Sequence, residues 1–490
     1  MYRGDYCNMT LQAQVSEQSP RKADLEQIRK ALKSRWIPPI PVTIFFILIL
    51  IPLHFNIGSL FMTGTRVLLL VIFIPMYLRL VTGQLGRILL TDILFQVFAI
   101  WNIFTLFLNT PDQAVSFGGS VALEVLGGYL LGRTYVRTAE DFARMCLALF
   151  WTIIFTLPFA AYESQTGVAL IPELIRKLPF FDSVPDFYND VAGRRLGLER
   201  AQVIFAHPIH YGLFCSTAFA LALVGFKRIS PNVWRIFFAG SAITGVFFSV
   251  SSGAILPLAF QIGLIAWAWV MTSVRQRWII LGVLVTLAYV AVDMISNRSP
   301  ITVFLSYATL DAHTASWRQI IFEWGMKNVW ANPIFGIGMN DWERPWFMRS
   351  GSLDNYWLLT TVRYGIPAFI MVAAGFATAI VRVALSTFDA DGPTWQFRRA
   401  WTITLVSLII TLATVDVWAT AQAYVFFIFG SGMWLLSAPH TPVADPKKPM
   451  GALESLKHGA RATPPFLPQR GGSIYSRFDP THKRVDSRQK

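Results

Sequence analysis

The feature that most limits what this chain can become is a succession of long apolar runs separated by short polar breaks. A run of about 18 residues spans the hydrocarbon core of a bilayer as a helix. About twelve occur, at 38–55, 64–82, 88–108, 114–132, 145–162, 207–226, 234–250, 254–273, 278–295, 357–382, 400–417 and 421–438. The seventh and eighth are divided only by Ser251, Ser252 and Gly253. Charged residues make up 14% of the chain, against about 25% in soluble domains. These patterns predict an all-α polytopic membrane protein of about twelve transmembrane helices. A polar tail precedes the first run, so no cleavable signal peptide is expected. Cys7, Cys146 and Cys215 fall in that tail and in two spans, which gives no disulfide framework.

The basic residues orient the spans. With the N-terminus inside, Arg79, Arg87, Arg133, Arg137, Arg144, Lys227, Arg228, Arg235, Arg275, Arg277, Arg398 and Arg399 all face the cytoplasm. The short outer loops at 56–63, 109–113, 251–253 and 418–420 carry no Lys or Arg, as the positive-inside rule requires. The expected organisation is a basic cytoplasmic tail over 1–37, a membrane domain over 38–438, and a disordered basic tail over 439–490. Both termini lie inside. The net charge of +14 thus belongs largely to topology and calls for no nucleic acid.

Two outer segments break the charge rule. One, 163–206, contains Arg176, Lys177, Arg194, Arg195 and Arg200. The other, 296–356, contains Arg298, Arg318, Lys327, Arg344 and Arg349, with Arg363 just inside the next span. Arginine on the translocated side works against orientation. An anionic ligand is one reason for it, because guanidinium forks match phosphate oxygens and stay charged. Ion pairs to Glu173, Asp182, Asp186, Glu323 or Asp341 are the competing reason.

Four stretches carry the candidate chemistry. In RRLGLERAQVIFAHPIHYG, Pro208 suits a first helical turn, and His207 and His210 share a face. A hydrogen-bonding role suits these histidines better than a metal site, since a third ligand is missing. In SVSSGA, 249–254, close helix packing is the favoured reading. Within 296–355, Trp317, Ile320, Ile321 and Trp324 fall on one face of an amphipathic helix that ends before Pro333. In SLDNYWLL, Asp354 is placed to accept a proton from a hydroxyl or to cap the following helix, and Asn355 to orient a sugar. Glu124, in mid-span, must be paired, protonated or facing a cavity, with a structural role preferred. No P-loop, GxSxG, HExxH or CxxC motif occurs.

Taken together, the dozen spans, the large outer loop and the run from Arg318 to Pro333-Ile-Phe-Gly336-Ile-Gly338 resemble the O-antigen ligase/polymerase superfamily. RAQVIFAHPIHYG resembles the family's arginine-containing segment before the sixth span. SSGA resembles its S-x-S-R-[TG]-A turn, and DNYWL stands where the family has H-N-x-[FYW]-L. The chain departs from the pattern at Asp354, in place of the family histidine, and at Ser252, in place of an arginine.

The resemblance implies a GT-C-like membrane glycosyltransferase that is metal-independent, inverting and without cofactor. It would act at the outer face of the bacterial inner membrane on an undecaprenyl-pyrophosphate-linked glycan. Its acceptor would be another lipid-linked repeat (polymerase, the favoured choice), lipid A core (ligase) or a protein. Other polysaccharide-assembly proteins would be further partners. Asp354, Arg318 and Arg200 become the catalytic candidates. Arg195, Arg363, Asn355, His207, Trp342 and Arg344 become substrate-binding ones, with Trp342, Trp346 and Tyr356 stacking on sugar rings. A transporter of lipid-linked glycans is the alternative of a different class, disfavoured because the two halves of the chain are unlike.

Overall fold

The computed structural model describes residues 24–58, 60–184, 194–297, 300, 303, 312–348, 350–389 and 392–438. The two distal tails, Cys7, Asp186, Arg298 and Arg349 therefore lie outside the described residues. In chain order the elements are α1 (24–34), α2 (Ile40–Leu50), β1 (Leu53–Ile57), β2 (Leu60–Thr63), α3 (Gly64–Val81), α4 (Leu90–Asn109), α5 (Pro111–Tyr135), α6 (Ala139–Thr166), α7 (Leu170–Arg176) and β3 (Asp182–Ser183). There follow α8 (Pro208–Gly225), α9 (Asn232–Phe248), α10 (Ser252–Val270), α11 (Arg277–Ile295), α12 (Ala312–Ala331), α13 (Tyr356–Leu385), α14 (Pro393–Leu412) and α15 (Thr420–Leu436).

Eight of the described helices are long and apolar enough to cross a membrane: α3, α4, α5, α6, α8, α10, α11 and α13. The remaining apolar runs of the sequence also fold as helices. Of these, α2, α9 and α15 are shorter, and α14 opens on the polar Gln396, Arg398 and Arg399. The multi-pass membrane class therefore stands on eight spans, with four further helices packed among or beside them.

The expectation of an all-α chain needs one correction. The first apolar run stops being helical at Leu50, because Pro52 lacks an N–H and pushes Ile51 out of the α region, to φ −112° and ψ 83°. The chain then forms β1, which pairs antiparallel with both β2 and β3. The sheet is small, and His54 of β1 lies 3.4 Å from Asp182 of β3.

An aromatic core joins α4, α5, α13 and α15. Phe95 meets Tyr129, Phe426 and Phe429 edge to face at 5.1, 5.3 and 5.1 Å between ring centroids, a geometry favoured by the ring quadrupoles. By contrast, α11 buries no residue against the described bundle. Two π turns, Ala114–Gly118 and Leu123–Gly127, widen α5 where Glu124 sits.

The described part of the loop before α13 is held by two devices. The first is a small core of its own, in which Ile321 and Val329 of α12 pack with Trp342, Met348 and Leu353 onto Leu358 and Val362 of α13. The second is a break in α13. Gly365 takes φ 84° and ψ 171°, outside helical geometry, and frees backbone groups there. The turn after α12 satisfies them: Ile337 N donates to Val362 O at 2.9 Å, Gly338 N to Arg363 O at 3.0 Å, and Ile366 N to Pro333 O at 2.8 Å. A Cβ at Gly365 would collide with the Ile334 carbonyl, and one at Gly336 with the Arg363 carbonyl. The P-x-x-G-x-G run is thus a backbone clasp on an interrupted helix.

Candidate functional site

Two compartments meet at the connector between α14 and α15. Ala413 faces the first, whereas Asp416 to Ala419 face the second. The seam between them is one backbone bond, from Tyr356 N to Val415 O at 3.2 Å.

The first compartment is a narrow cleft lined by Arg318, Ile321, Phe322, Leu353, Asp354, Asn355, Leu358 and Ala413. Arg318 is 7% exposed, and its Nε and Nη1 have no hydrogen-bond partner among the described residues. Burial weakens its hold on the proton, the nearby Asp354 carboxylate strengthens it, and Arg195 weakens it again. A buried guanidinium with unanswered donors is costly unless something negative meets it. At about 10 Å³ the cleft has room for about one water, so a phosphate enters only if the loop shifts outward.

Asp354 is exposed and accepts a hydrogen bond from Ser352 Oγ. The helix cap that sequence reasoning offered it belongs instead to Asn355, whose Oδ1 accepts from Trp357 N at 3.0 Å and Leu358 N at 3.1 Å. Asp354 itself adopts φ 44°, a left-handed backbone more common in Asp and Asn than in bulkier residues.

The cleft opens into an apolar groove of about 970 Å³ between α11, α12 and α13, sharing Phe322, Asn355, Leu358 and Ala413 with it. Val285, Tyr289, Phe369 and Phe376 also line it. The charged cleft and the apolar groove are therefore contiguous through the four shared residues.

Arg195 and Arg200 belong to the segment 163–206, and His207 follows it. The loop bearing them is pinned by the buried Glu163 carboxylate, which accepts from Gln202 N and Val203 N at 2.9 Å each. It is also tied to α9 through Ala201 N and Phe248 O at 3.0 Å. His207 caps α8, its Nδ1 accepting from Ile209 N at 3.1 Å. Burial, then His210, Arg200 and Arg195, push its pKa down to about 2, so the ring stays neutral. The neutral form is the one that can accept this bond. Behind the loop, Ser249 is fully buried, and a Cβ on Gly212 would collide with Ser249 and Ala254, so the SVSSGA turn acts in helix packing.

The second compartment is a chamber of about 640 Å³ whose lining includes Arg66, Phe117, Glu124, Tyr356, Arg363 and Asp416. Glu124 accepts from Arg66 Nε at 2.6 Å, which answers its burial in mid-span. The Arg363 guanidinium lies 5.2 Å from the centre of the Phe117 ring. Asp416 Oδ1 accepts from Val417 N at 2.8 Å, and its carbonyl is 3.0 Å from His210 Nε2. Burial pushes the Asp416 carboxyl up to about 7 against the pull of Arg363 and the Val417 N–H, with Asp354 adding to the rise.

Of the residues singled out from the sequence, Arg318, Asp354 and Asn355 share the cleft, Arg195 acts on Arg318 from alongside, and Arg200 acts on His207. Arg363 belongs to the chamber. Trp342 is 5% exposed inside the loop core, its Nε1 donating to Gly351 O at 2.9 Å. Arg344 is paired with Asp341 and donates to Met348 O at 3.0 Å. Both therefore build the loop. Trp346 is almost fully exposed.

Arg66 and Asp416 escaped sequence reasoning because each sits within an apolar run. The signal was the ionisable residue itself, at the end of a run in T-V-D-V-W and at the start of one in G-T-R-V. Among the described residues no three His, Cys, Asp or Glu side chains converge as metal ligands would.

Residues 216–373 match the family described as O-antigen ligase, the Wzy_C domain. The matched stretch runs from α8 into α13 and contains Arg318, the glycine clasp and Asp354. No match is found among curated proteins.

Proposed function

We propose that this chain, whose residues 216–373 match the O-antigen ligase family, transfers a glycan from a polyprenyl pyrophosphate carrier to an acceptor hydroxyl. The observation that carries the reading is the continuity of the Arg318 cleft with the apolar groove. A polyprenyl pyrophosphate has this same division, a charged head joined to a long apolar tail. The tail lies along α11 and α13, where apolar surface is removed from water or lipid headgroups. The pyrophosphate sits against Arg318, with Arg195 and Arg200 alongside.

Those arginines act where charge develops. As the anomeric carbon–oxygen bond breaks, negative charge grows on the leaving pyrophosphate, and fixed guanidinium groups stabilise it without reorganising. The reaction inverts the anomeric centre because the acceptor attacks opposite the leaving group, and the charge stabilisation asks for no metal. The site faces the periplasm, with both termini in the cytoplasm of a bacterium's inner membrane. A second lipid-linked repeat is the favoured acceptor, making the protein a polymerase of exopolysaccharide or O-antigen. Lipid A core as acceptor would make it a ligase.

Two measurements test this. Full-length protein should bind farnesyl pyrophosphate, and Arg318→Ala and Arg200→Ala should weaken that binding and abolish glycan formation at normal membrane levels. Full activity in both variants would sink the reading. A deletion strain that loses glycan chain length supports the polymerase. One that accumulates lipid-linked polymer without transfer to lipopolysaccharide supports the ligase.

A further inference from the structure

The donor reading leaves the chamber beyond Tyr356 without a role. We propose that this chamber receives the acceptor sugar and that the Asp416 carboxylate takes the proton from its attacking hydroxyl. The inference rests on the donor reading above and assigns the other half of the same site.

Four observations carry it. The chamber, at about 640 Å³, falls within the range of about 300–1,000 Å³ common to small-ligand pockets. Its lining mixes hydroxyl and amide groups (Ser116, Ser120, Thr360, Gln422) with the flat faces of Phe117 and Trp418, matching the polar edges and apolar faces of a sugar ring. Tyr356 is 3% exposed, and its Oη, beside Thr360 and Gln422, makes no well-formed hydrogen bond among the described residues. A buried hydroxyl left in that state carries a desolvation penalty that a ligand hydroxyl removes. Finally, the Tyr356–Val415 seam puts Asp416 one residue beyond Val415 and Asp354 two residues before Tyr356. A hydroxyl held in the chamber can meet a donor sugar at the cleft mouth across that seam.

The same geometry separates the two carboxylates. Asp354 is exposed, accepts from Ser352 and faces Arg318 on the cleft side of the seam. Asp416 has lost most of its solvent and is pushed up to about 7, the basicity a general base needs near neutral pH. Its Oδ1 is occupied by Val417 N–H, leaving Oδ2 for the hydroxyl. In the step, the acceptor oxygen bonds to the anomeric carbon while its proton passes to Asp416. The bond from that carbon to the pyrophosphate breaks, and its electron pair leaves on the phosphate oxygen held by the arginines. The charged and titratable groups around Asp416 include Arg363, Tyr356 and Tyr364 from α13, Asp354 from the loop, His210 from α8, and Asp112 and the Arg66–Glu124 pair across the chamber.

The test uses full-length protein in its own strain's membranes, with the endogenous lipid-linked glycan as donor. Asp416→Asn should cost about 10²–10⁴-fold in transfer, the span expected for a lost general base. It should bind farnesyl pyrophosphate as the wild type does, which also shows that the variant folds. The wild-type rate should fall about tenfold per pH unit below about 7, because the working form is the ionised carboxylate. Asp416→Asn should lack that limb, and Asp416→Glu should regain part of the rate on a shifted one. Tyr356→Phe should raise the KM for acceptor more than it lowers kcat. Transfer by Asp416→Asn within a few-fold of wild type, or loss of the pH limb in Asp354→Asn instead, would overturn the inference. Failure of the donor reading would look different, as farnesyl pyrophosphate binding undiminished in Arg318→Ala.

Discussion

In the chamber, Arg66 donates to Glu124 at 2.6 Å, and Arg363 lies beside Asp416 with its guanidinium over Phe117. In the cleft, a few residues away along α13, Arg318 is just as buried but leaves two nitrogens unanswered, with the exposed Asp354 as its neighbouring acid. Arg195 adds a second positive charge there. The first arrangement is complete in the free protein, and the second is complete only around an anion. Burial of arginine alone does not mark a ligand site; burial with unmet donors does.

The sharpest way to break this comparison is to delete one arginine from each compartment. Arg66→Met leaves the buried Glu124 charge without its partner, so stability should fall by about 3–5 kcal/mol, as for other severed buried pairs. A thermal melt in detergent would show it. Arg318→Met should leave the melt unchanged or slightly higher, because it removes a buried cation that the protein itself does not satisfy. If Arg318→Met melts far below wild type, the cleft is a structural ion pair.

Activity should show the opposite order. Arg318→Ala should lower transfer by about 10²–10³-fold, the usual effect of losing one donor to a developing anion. Membrane glycan synthesis by the variant measures it. The clasp sharpens the contrast further. Gly365→Ala puts a Cβ into the Ile334 carbonyl at a φ of 84°, and strain of about 1–3 kcal/mol should loosen the loop that carries Arg318. Transfer should then drop while Arg66–Glu124 stability, read as the main melt, moves less. The smallest effect belongs to Asn355→Ala, where losing the cap of α13 should cost about 1 kcal/mol. A much larger loss of activity than of stability there would mean that Asn355 also touches substrate.

Particular residues show what could be read beforehand. The helix over 312–331 and its end before Pro333 were legible because apolar spacing and proline act locally. So was Pro208 opening α8 behind His207. The β-sheet after Leu50 was not, since its strands are short and the apolar run continues to Leu53 past the proline that breaks it. Asp354 as a cap was ambiguous in sequence; backbone geometry gave the cap to Asn355. Trp342 and Arg344 looked like ligand contacts because exposed aromatic and basic residues in a loop often are. Packing shows in addition that they hold the loop together.

The sequence by itself determined the membrane class, the run of helices and the excess of arginine on the segments 163–206 and 296–356, because hydropathy and charge act through composition and spacing. Tertiary structure decided which arginines are answered. Arg66 and Glu124 are 58 residues apart, and Asp416 reaches Tyr356 through a bond between Val415 and the start of α13. Whether a buried charge has a partner depends on distances between chain segments, and those exist only once the helices have packed.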